Sequence, residues 1–304
     1  MEVLNQDHLY FPTSFNSILI KSIRIYAKSF VNYLLIAFIT YLPFLIIIEF
    51  SKLDIMDMVE FFHGNFLDIV IFLTLPTLFI ENKVLPLATI SLFVQRFFAS
   101  AVVISFVQLG TLLFFITFFA SISLGAILVG IIPYIFLLFA GFFLIMENAP
   151  RLISIRLNLI HSIKLVRGQF FSIFWNFISI SILIFIPLFF FSLWYIGGHQ
   201  EILVIREGLT QNPEADSMIV QNFLALVQGI VQENGFKWSR IGIHILFRPL
   251  KSLFLAMLFL GIIQRVSPNT IANFLGNSSS SEATPDSDVD IKTDENGSES
   301  ENTM

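Results

Sequence analysis

Residues 31–50 read VNYLLIAFITYLPFLIIIEF, and Glu49 is the only charged residue among them. A helix of about twenty apolar residues is long enough to cross the hydrocarbon core of a bilayer. Further apolar stretches of similar length follow along the chain, so we predict an all-α, polytopic membrane protein with six transmembrane helices. The six predicted spans are residues 31–50, 66–86, 100–121, 124–146, 170–196 and 241–264.

The composition supports this class of protein. Hydrophobic residues make up 56% of the 304 residues and charged residues 13%, and the mean hydropathy is +0.81. In a typical soluble domain, charged residues make up about a quarter of the chain. The 37 phenylalanines could not all be buried in one aqueous core, so lipid is expected to cover much of the surface. The chain has no cysteine, which excludes disulfides, thiolate metal sites and cysteine nucleophiles.

Three regions differ in composition. We expect residues 1–30 to form a cytoplasmic arm with an amphipathic helix, and residues 31–266 to form the membrane domain. Residues 267–304 hold most of the acidic excess behind the net charge of -5 and are rich in Ser, Asn, Asp and Glu. Such a segment buries too little apolar surface to offset its conformational entropy, so we predict a disordered, acidic cytoplasmic tail.

Lysine and arginine concentrate in alternate connections between the predicted spans. The N-terminal arm and the connections at 81–99 and 147–169 are basic, whereas those at 51–65 and 197–240 are acidic or mixed. Because cytoplasmic connections carry the excess of Lys and Arg, we expect the basic ones inside. Six crossings then leave both termini in the cytoplasm. The interfacial basic residues are Lys21, Arg24, Lys28, Lys164 and Arg167.

A basic, amphipathic segment recurs before the apolar runs. KSIRIYAKSF at 21–30 resembles HSIKLVRGQF at 161–170, and TISLFVQRFF at 89–98 is a fainter third copy. The spacing of about seventy residues predicts three repeats of an amphipathic helix followed by a helical hairpin. Such helices lie in the interface, where each cation gains about 1 kcal/mol from anionic headgroups. They are interpreted either as topology anchors or as a collar that senses or deforms lipid.

The stretch from 131 to 174, IIPYIFLLFAGFFLIMENAPRLISIRLNLIHSIKLVRGQFFSIF, contains a Pro-bearing helix that ends in an acid. The pattern A-x-x-x-S-x-x-L-x-[KR]-G-x-[FW] follows, with Asn158 in place of the alanine. This resembles the membrane domain attached to some glycerophosphoryl diester phosphodiesterases and its stand-alone relatives. The resemblance implies a six-helix protein of the bacterial cytoplasmic (inner) membrane. It implies no phosphodiesterase activity, because catalysis in that family resides in a separate soluble barrel. The main matching residues are Pro133, Glu147, Ser162 and Gly168.

No catalytic constellation is visible in the sequence. The chain has no HExxH, GxSxG, Walker or dinucleotide-binding pattern, and its five histidines are scattered. Glu147 at the end of the fourth predicted span lies within reach of Arg151, and we interpret it as an interfacial acid paired with a cation, with a role in binding as the alternative. We therefore predict a protein that is not an enzyme and that has no cofactor and no metal.

A basic helix face enters the sixth predicted span. In KWSRIGIHILFRPLKSLFLAML, residues 237–258, cationic side chains recur every three or four residues and so share one face. Asp68 in the second predicted span is a candidate intramembrane partner, above all for Lys251. One interpretation is that the span begins near Pro249 and Lys251 snorkels outward. The other is a groove for lipid headgroups or another anion, formed by Lys237, Arg240, His244, Arg248 and Lys251.

Two functions from different classes are compatible with this sequence. We expect a non-enzymatic membrane protein that binds or organises lipid or scaffolds a membrane complex. Its partners would be membrane lipids and a second membrane protein, with no nucleic acid. The alternative is a transporter or channel for a small or anionic solute. That function favours broken helices with polar residues near the midplane, whereas the predicted spans are rich in Phe, Leu and Ile.

Overall fold

The computed structural model describes residues 11–12, 14–50, 56–96, 101–102, 104–105, 107–109, 112, 124–146, 152–200, 202, 217–266, 271 and 274. Most of these residues lie in helices, and no strand occurs among them. The helices are α1 (Phe15–Lys28), α2 (Phe30–Phe50), α3 (Met56–Phe72), α4 (Leu75–Glu81), α5 (Pro86–Gln95), α6 (Leu124–Met146), α7 (Leu152–Gly197), α8 (Ser217–Gln232) and α9 (Asn234–Val266).

Four stretches of helix are long and apolar enough to cross a membrane. They are Phe30–Phe50, Met58–Phe79, Arg167–Gly197 and Asn234–Arg265. The prediction of an all-helical membrane protein is therefore confirmed, whereas the count of six spans stays a prediction. The predicted span 100–121 lies mostly outside the described residues. The predicted span 124–146 coincides with the helix α6.

The second span differs from its predicted position. It covers Met58–Phe79 instead of 66–86, and includes polar residues that the sequence analysis assigned to an outer connection. Those residues pair with side chains of α9, so they can lie inside the span. Leu73 and Thr74 interrupt this span between α3 and α4, where Pro76 lacks an N–H. The Thr74 hydroxyl donates to the Ile71 carbonyl at 2.7 Å, which satisfies an acceptor at the break.

Two spans form the centre of the bundle and two lie at its edge. In the most apolar windows of Met58–Phe79 and Asn234–Arg265, 78% and 83% of the residues are buried. The corresponding shares are 28% for Phe30–Phe50 and 6% for Arg167–Gly197. The outer surfaces of α2 and α7 are rich in exposed Phe, Leu and Ile side chains, as expected for surfaces that contact lipid.

The central helices α3 and α9 run parallel. Glu60 contacts Arg240 and Asp68 contacts Arg248, and each pair is separated by 180 residues in the chain. A constant separation means that both helices advance in the same direction. The helix α2 runs antiparallel to α3, because the Thr40 hydroxyl lies 3.0 Å from the His63 Nε2, and Asn32 donates to the Val84 carbonyl at 2.8 Å.

The first amphipathic segment is a separate helix, but it packs against protein. Helix α1 ends at Ser29, and its Ile18 and Ser22 are buried. The Tyr26 hydroxyl donates to the Leu246 carbonyl at 2.5 Å. Ile23 on the same helix is 45% exposed, so α9 covers only part of the apolar surface of α1. The location of α1 in the membrane interface stays a prediction, to which the structure adds the contact with α9.

The second amphipathic segment is not a separate helix. Residues 161–170 lie within α7, which is one uninterrupted helix of 46 residues. At a rise of 1.5 Å per residue it is about 69 Å long, roughly twice the thickness of a bilayer core. The part before Arg167 lies outside the candidate span and extends it as a polar continuation. The two clear copies therefore differ in structure, and a threefold repeat is not confirmed.

Two residues of the predicted tail belong to the folded region. Ile271 and Phe274 are buried, and the Phe274 ring stacks on Phe72 at a centroid distance of 5.2 Å. The Arg96 guanidinium lies 5.4 Å from the same ring. Packing therefore continues to Phe274, beyond the predicted boundary at 267. The acidic residues of the tail lie outside the described residues.

Candidate anion-binding groove

A row of polar residues on α3 faces a row of cationic residues on α9. On α3, Glu60, Gly64 and Asp68 are four residues apart, and on α9 Arg240, His244 and Arg248 have the same spacing. Residues four apart lie above one another on one helix face. Because the two helices are parallel, the two rows meet along their length.

Two ion pairs join these rows. Arg240 donates from Nη2 at 2.8 Å and from Nε at 3.1 Å to the same oxygen of Glu60. Arg248 donates from Nη2 to Asp68 at 3.1 Å, and the Ser252 hydroxyl donates to the second Asp68 oxygen at 2.5 Å. The Asp68 side chain is fully buried. A buried carboxylate is tolerable only when hydrogen bonds and a cation replace its water, and Asp68 has both.

The predicted partnership between Asp68 and Lys251 is corrected. Asp68 does serve as an intramembrane partner of the basic face, but its cation is Arg248. Parallel packing places Arg248 beside Asp68, one helical turn before Ser252. Lys251 precedes Ser252 by one residue and points to α7, where its Nζ is 4.8 Å from the centroid of the Phe177 ring. Arg248 therefore contacts α3, whereas Lys251 contacts α7.

Lys251 on α9 is buried in the bundle, with 9% of its surface exposed. The helix begins at Asn234 and continues through Pro249. The point at which it enters the bilayer, and with it the interpretation in which the span begins near Pro249 and Lys251 snorkels outward, stays a prediction. In the part of the chain that the structure describes, no carboxylate forms an ion pair with Lys251. Its contact with Phe177 is a cation–π interaction.

Gly64 allows Arg248 to approach α3 closely. The Arg248 guanidinium lies against the backbone of Gly64, and a Cβ at this position would overlap three of its atoms. A glycine is therefore required here by the space that the guanidinium occupies and not by backbone conformation, since its φ is not positive. The sequence pattern alone would not reveal this, because the two residues are far apart in the chain.

Two histidines form a hydrogen-bonded pair beside the ion pairs. The His63 Nδ1 lies 3.1 Å from the His244 Nε2, and the His63 Nε2 lies 3.0 Å from the Thr40 Oγ1. The Thr40 hydroxyl has one proton and lies 2.9 Å from the Ile36 carbonyl, to which it donates. Thr40 then accepts from His63 Nε2, and His63 Nδ1 accepts from His244 Nε2. These assignments, made from the hydrogen-bond network, leave His244 Nδ1 as an acceptor.

A cavity of about 280 Å³ opens between α3, α7 and α9, and we call it the polar groove. The α9 side of the groove carries Arg240 and Arg248, which form the two ion pairs, together with His244 and Lys251. The α7 side is mostly apolar. Phe185 on the α7 side is 57% exposed, so the groove opens towards the lipid-facing surface of α7. The lining residues are Glu60, Phe61, Ser181, Ile184, Phe185, Leu188, Arg240, Ile243, His244, Phe247, Arg248 and Lys251.

The structure places the other predicted residues outside this groove. Lys237 is half-buried on α9 but does not line it. Lys21 lies over the rings of Phe11 and Phe79, and burial lowers the pKa of its ammonium group. Lys28 donates to Asn82 at 2.9 Å. Arg24, Lys164, Arg167 and Gly168 are exposed, Pro133 lies in α6 and Ser162 in α7, and Glu147 lies outside the described residues.

The residues of α3 that pair with the basic face of α9 were, apart from Asp68, not predicted from the sequence. Glu60, His63 and Gly64 were assigned to an outer connection because acidic residues are frequent there. Their spacing of three or four residues, continued by Asp68, could have indicated a polar helix face matched to the one on α9. Glu60 and His63 together with Thr40 extend the site beyond the predicted set.

A second cavity, of about 440 Å³, lies between the end of α7 and α8. His199 Nε2 lies 3.2 Å from one oxygen of Glu233, and the Tyr195 hydroxyl donates to the other at 3.0 Å. Both charged side chains are partly exposed, so this ion pair adds little to stability. Within the described residues, no group of three or more His, Asp or Glu side chains is arranged to hold a metal ion.

Comparisons with protein families, curated proteins and solved structures find no match to this chain. The resemblance to the membrane domain of the phosphodiesterases therefore stays an interpretation of the sequence. The polar groove is the feature of the molecule that bears on its function.

Proposed function

We propose that this chain is a non-enzymatic integral membrane protein that binds the anionic headgroup of a membrane lipid in the polar groove. By holding lipid there, it would organise the surrounding bilayer or scaffold a membrane complex. The observation that carries the proposal is Lys251, a buried cation that lines an open cavity and forms no ion pair with a described carboxylate.

The charges around the groove favour an anionic ligand. Arg240 pairs with Glu60 and Arg248 pairs with Asp68, whereas Lys251 contacts an aromatic ring and forms no ion pair with a described carboxylate. Cations inside a membrane protein usually pair with an acid or line a route for a substrate or ion. An anion in the groove would supply the missing partner of Lys251 without disturbing either ion pair.

The position of the groove favours a lipid over a water-soluble anion. One wall is α7, whose span is 6% buried and presents Phe and Leu side chains outward. A lipid could place its headgroup at Lys251 while its acyl chains remain along that surface. The basic residues Lys21, Arg24 and Lys28 of α1 and Lys164 and Arg167 of α7 would fix the cytoplasmic side in the bacterial inner membrane, with six spans and both termini inside, as the sequence predicts.

The proposal is tested by identifying the lipids that co-purify with the protein. Native mass spectrometry after mild detergent extraction should detect retained anionic phospholipid on the wild-type protein. Lys251→Met should lose it, because the methionine fills similar volume without the charge. Lys237→Met is the matched control, since it removes a cation from the same helix outside the groove. If the wild-type protein retains no anionic lipid above its share of the membrane extract, the proposal is wrong.

One observation favours a transporter or channel as the second candidate. Two ion pairs and a histidine pair lie within candidate spans, and charged rows inside membranes often mark ion or proton pathways. Purified protein in liposomes should then catalyse uptake of a small anion or dissipate a proton gradient. Flux that Arg24→Gln leaves unchanged and that Asp68→Asn abolishes at a temperature where thermal unfolding shows this variant to be folded would favour this function over lipid binding.

A further inference from the structure

The structure assigns a chemical class to the lipid, an inference that rests on the proposed function. We infer that the polar groove selects a headgroup with a single negative charge on a phosphodiester and a hydroxyl group beside it. Phosphatidylglycerol is the simplest lipid of this class. The phosphodiester would lie at Lys251 and the hydroxyl at His244.

The net charge of the groove limits the charge of the ligand. Among the described residues of the groove, three cations, Arg240, Arg248 and Lys251, face two carboxylates, Glu60 and Asp68. His63 is neutral because its Nδ1 accepts the hydrogen bond from His244, and the cations beside His244 disfavour a charge on that ring as well. One positive charge then remains among these residues, and a singly charged headgroup neutralises it. A zwitterionic headgroup adds no net charge and would leave that positive charge in place, and a doubly charged one would bury an excess negative charge.

The hydrogen-bond network indicates the second feature of the headgroup. His244 lines the groove and donates through Nε2 to His63, so its Nδ1 carries a free lone pair. A hydroxyl on the ligand can donate to that nitrogen, whereas an alkyl group in its place would leave a polar atom without a partner. Loss of one such hydrogen bond corresponds to binding that is weaker by a few fold up to about tenfold.

The size of the groove determines which part of the lipid enters. Its volume of about 280 Å³ is at the lower end for sites that enclose a small molecule. It therefore suits a headgroup, and the acyl chains have to remain outside. The groove opens beside Phe185, which is 57% exposed on the lipid-facing side of α7, so the chains would lie along α7.

Competition between lipids in nanodiscs tests this inference. Wild-type protein, Lys251→Met and the control Lys237→Met would be reconstituted with equal amounts of phosphatidylglycerol, phosphatidylethanolamine, phosphatidate and phosphatidylethanol, and the retained lipid measured by native mass spectrometry. Phosphatidylethanol has the phosphodiester charge but no hydroxyl. Phosphatidylglycerol should be retained about tenfold over phosphatidylethanolamine, which corresponds to about 1.4 kcal/mol. Lys251→Met, checked for folding by its thermal unfolding, should abolish this preference, and Lys237→Met should retain it.

Two further measurements test the role of the headgroup hydroxyl and whether the bound phosphate belongs to a lipid. Wild-type protein should prefer phosphatidylglycerol to phosphatidylethanol by a few fold, and His244→Phe should abolish that preference. Inorganic phosphate at millimolar concentration should displace no lipid. Retention of phosphatidylethanolamine or phosphatidate equal to that of phosphatidylglycerol would overturn the headgroup assignment while leaving lipid binding intact. Displacement by phosphate would overturn the lipid source, and retention of no lipid would overturn the inference and the proposed function together.

Discussion

At the residue scale, Asp68 combines full burial with two charge-assisted hydrogen bonds, from Arg248 and Ser252. Its carboxylate lies beside the guanidinium of Arg248, with which it forms one of the two ion pairs between α3 and α9. Removing that charge leaves the Arg248 guanidinium buried without this carboxylate, and such a change costs far more than the net contribution of the intact pair. Asp68 therefore contributes strongly to the stability of α3 against α9.

We predict that Asp68→Asn lowers the free energy of unfolding by about 3–5 kcal/mol, because it leaves a buried arginine uncompensated. Thermal unfolding in detergent measures the change. The double variant with Arg248→Gln should lose less than the sum of the two single variants, since the pair is coupled. Arg24→Gln, at an exposed position, is the control and should shift stability by less than about 0.5 kcal/mol. An unfolding temperature unchanged in Asp68→Asn would contradict the ion pair.

We predict that Gly64→Ala destabilises the protein although alanine favours helices, because its Cβ would occupy the space of the Arg248 guanidinium. The guanidinium would have to move away from Asp68, at a cost of about 1–3 kcal/mol. Gly242→Ala on α9 is a matched control, since no atom lies within 4 Å of its Cβ. That variant should gain about 0.5–1 kcal/mol from helix propensity. Equal effects of the two substitutions on the unfolding temperature would rule out the close approach.

At the element scale, α1 is an amphipathic helix held by protein contacts. The Tyr26 hydroxyl reaches the Leu246 carbonyl on α9 at 2.5 Å. Burial raises the pKa of Tyr26 to about 12, so the hydroxyl stays protonated at neutral pH and can donate. Phe15 lies against Phe254 with a centroid distance of 5.3 Å, which adds an apolar contact on the same helix. A helix that lay only in the lipid interface would have neither contact.

We predict that Tyr26→Phe increases hydrogen exchange in Phe15–Lys28, because it removes the hydrogen bond that joins α1 to α9. A loss of about 0.5–1.5 kcal/mol corresponds to exchange that is faster by a few fold up to about tenfold. Exchange measured by mass spectrometry in nanodiscs reports the change for each helix. Tyr195→Phe is the control, since that hydroxyl bonds to Glu233 at the other end of the bundle. If α1 exchanges rapidly in the wild-type protein already, the docked position is wrong.

At the scale of the whole molecule, the parallel arrangement of α3 and α9 constrains the topology. Two parallel spans cross the bilayer in the same direction, so the chain between them returns an odd number of times. The six-span prediction places three returning spans, 100–121, 124–146 and 170–196, in this interval and agrees with that requirement. The pairing of Glu60 with Arg240 and of Asp68 with Arg248 thus supports an odd count by geometry that is independent of charge bias.

We predict that single cysteines introduced for labelling report the N-terminal arm and the 81–99 connection inside and the 197–240 connection outside. The natural chain has no cysteine, so each introduced thiol is unique. Ser14→Cys and Lys83→Cys should react only when a membrane-impermeant reagent reaches the cytoplasmic face, and Gln232→Cys only from the outside. All three positions are exposed, so burial does not limit the reaction. Labelling of Ser14→Cys and Gln232→Cys from the same face would exclude the predicted orientation.

The sequence by itself determined that the chain is helical and membrane-embedded, because long apolar stretches and backbone hydrogen bonding in lipid permit little else. It also determined the basic face of α9, since residues three and four apart share a side of a helix whatever they contact. Only the tertiary structure decided which carboxylate pairs with which cation, that Lys251 has no acidic partner among the described residues, and that α1 packs on α9. Those outcomes depend on contacts between residues about 180 positions apart, and no local pattern carries information about them.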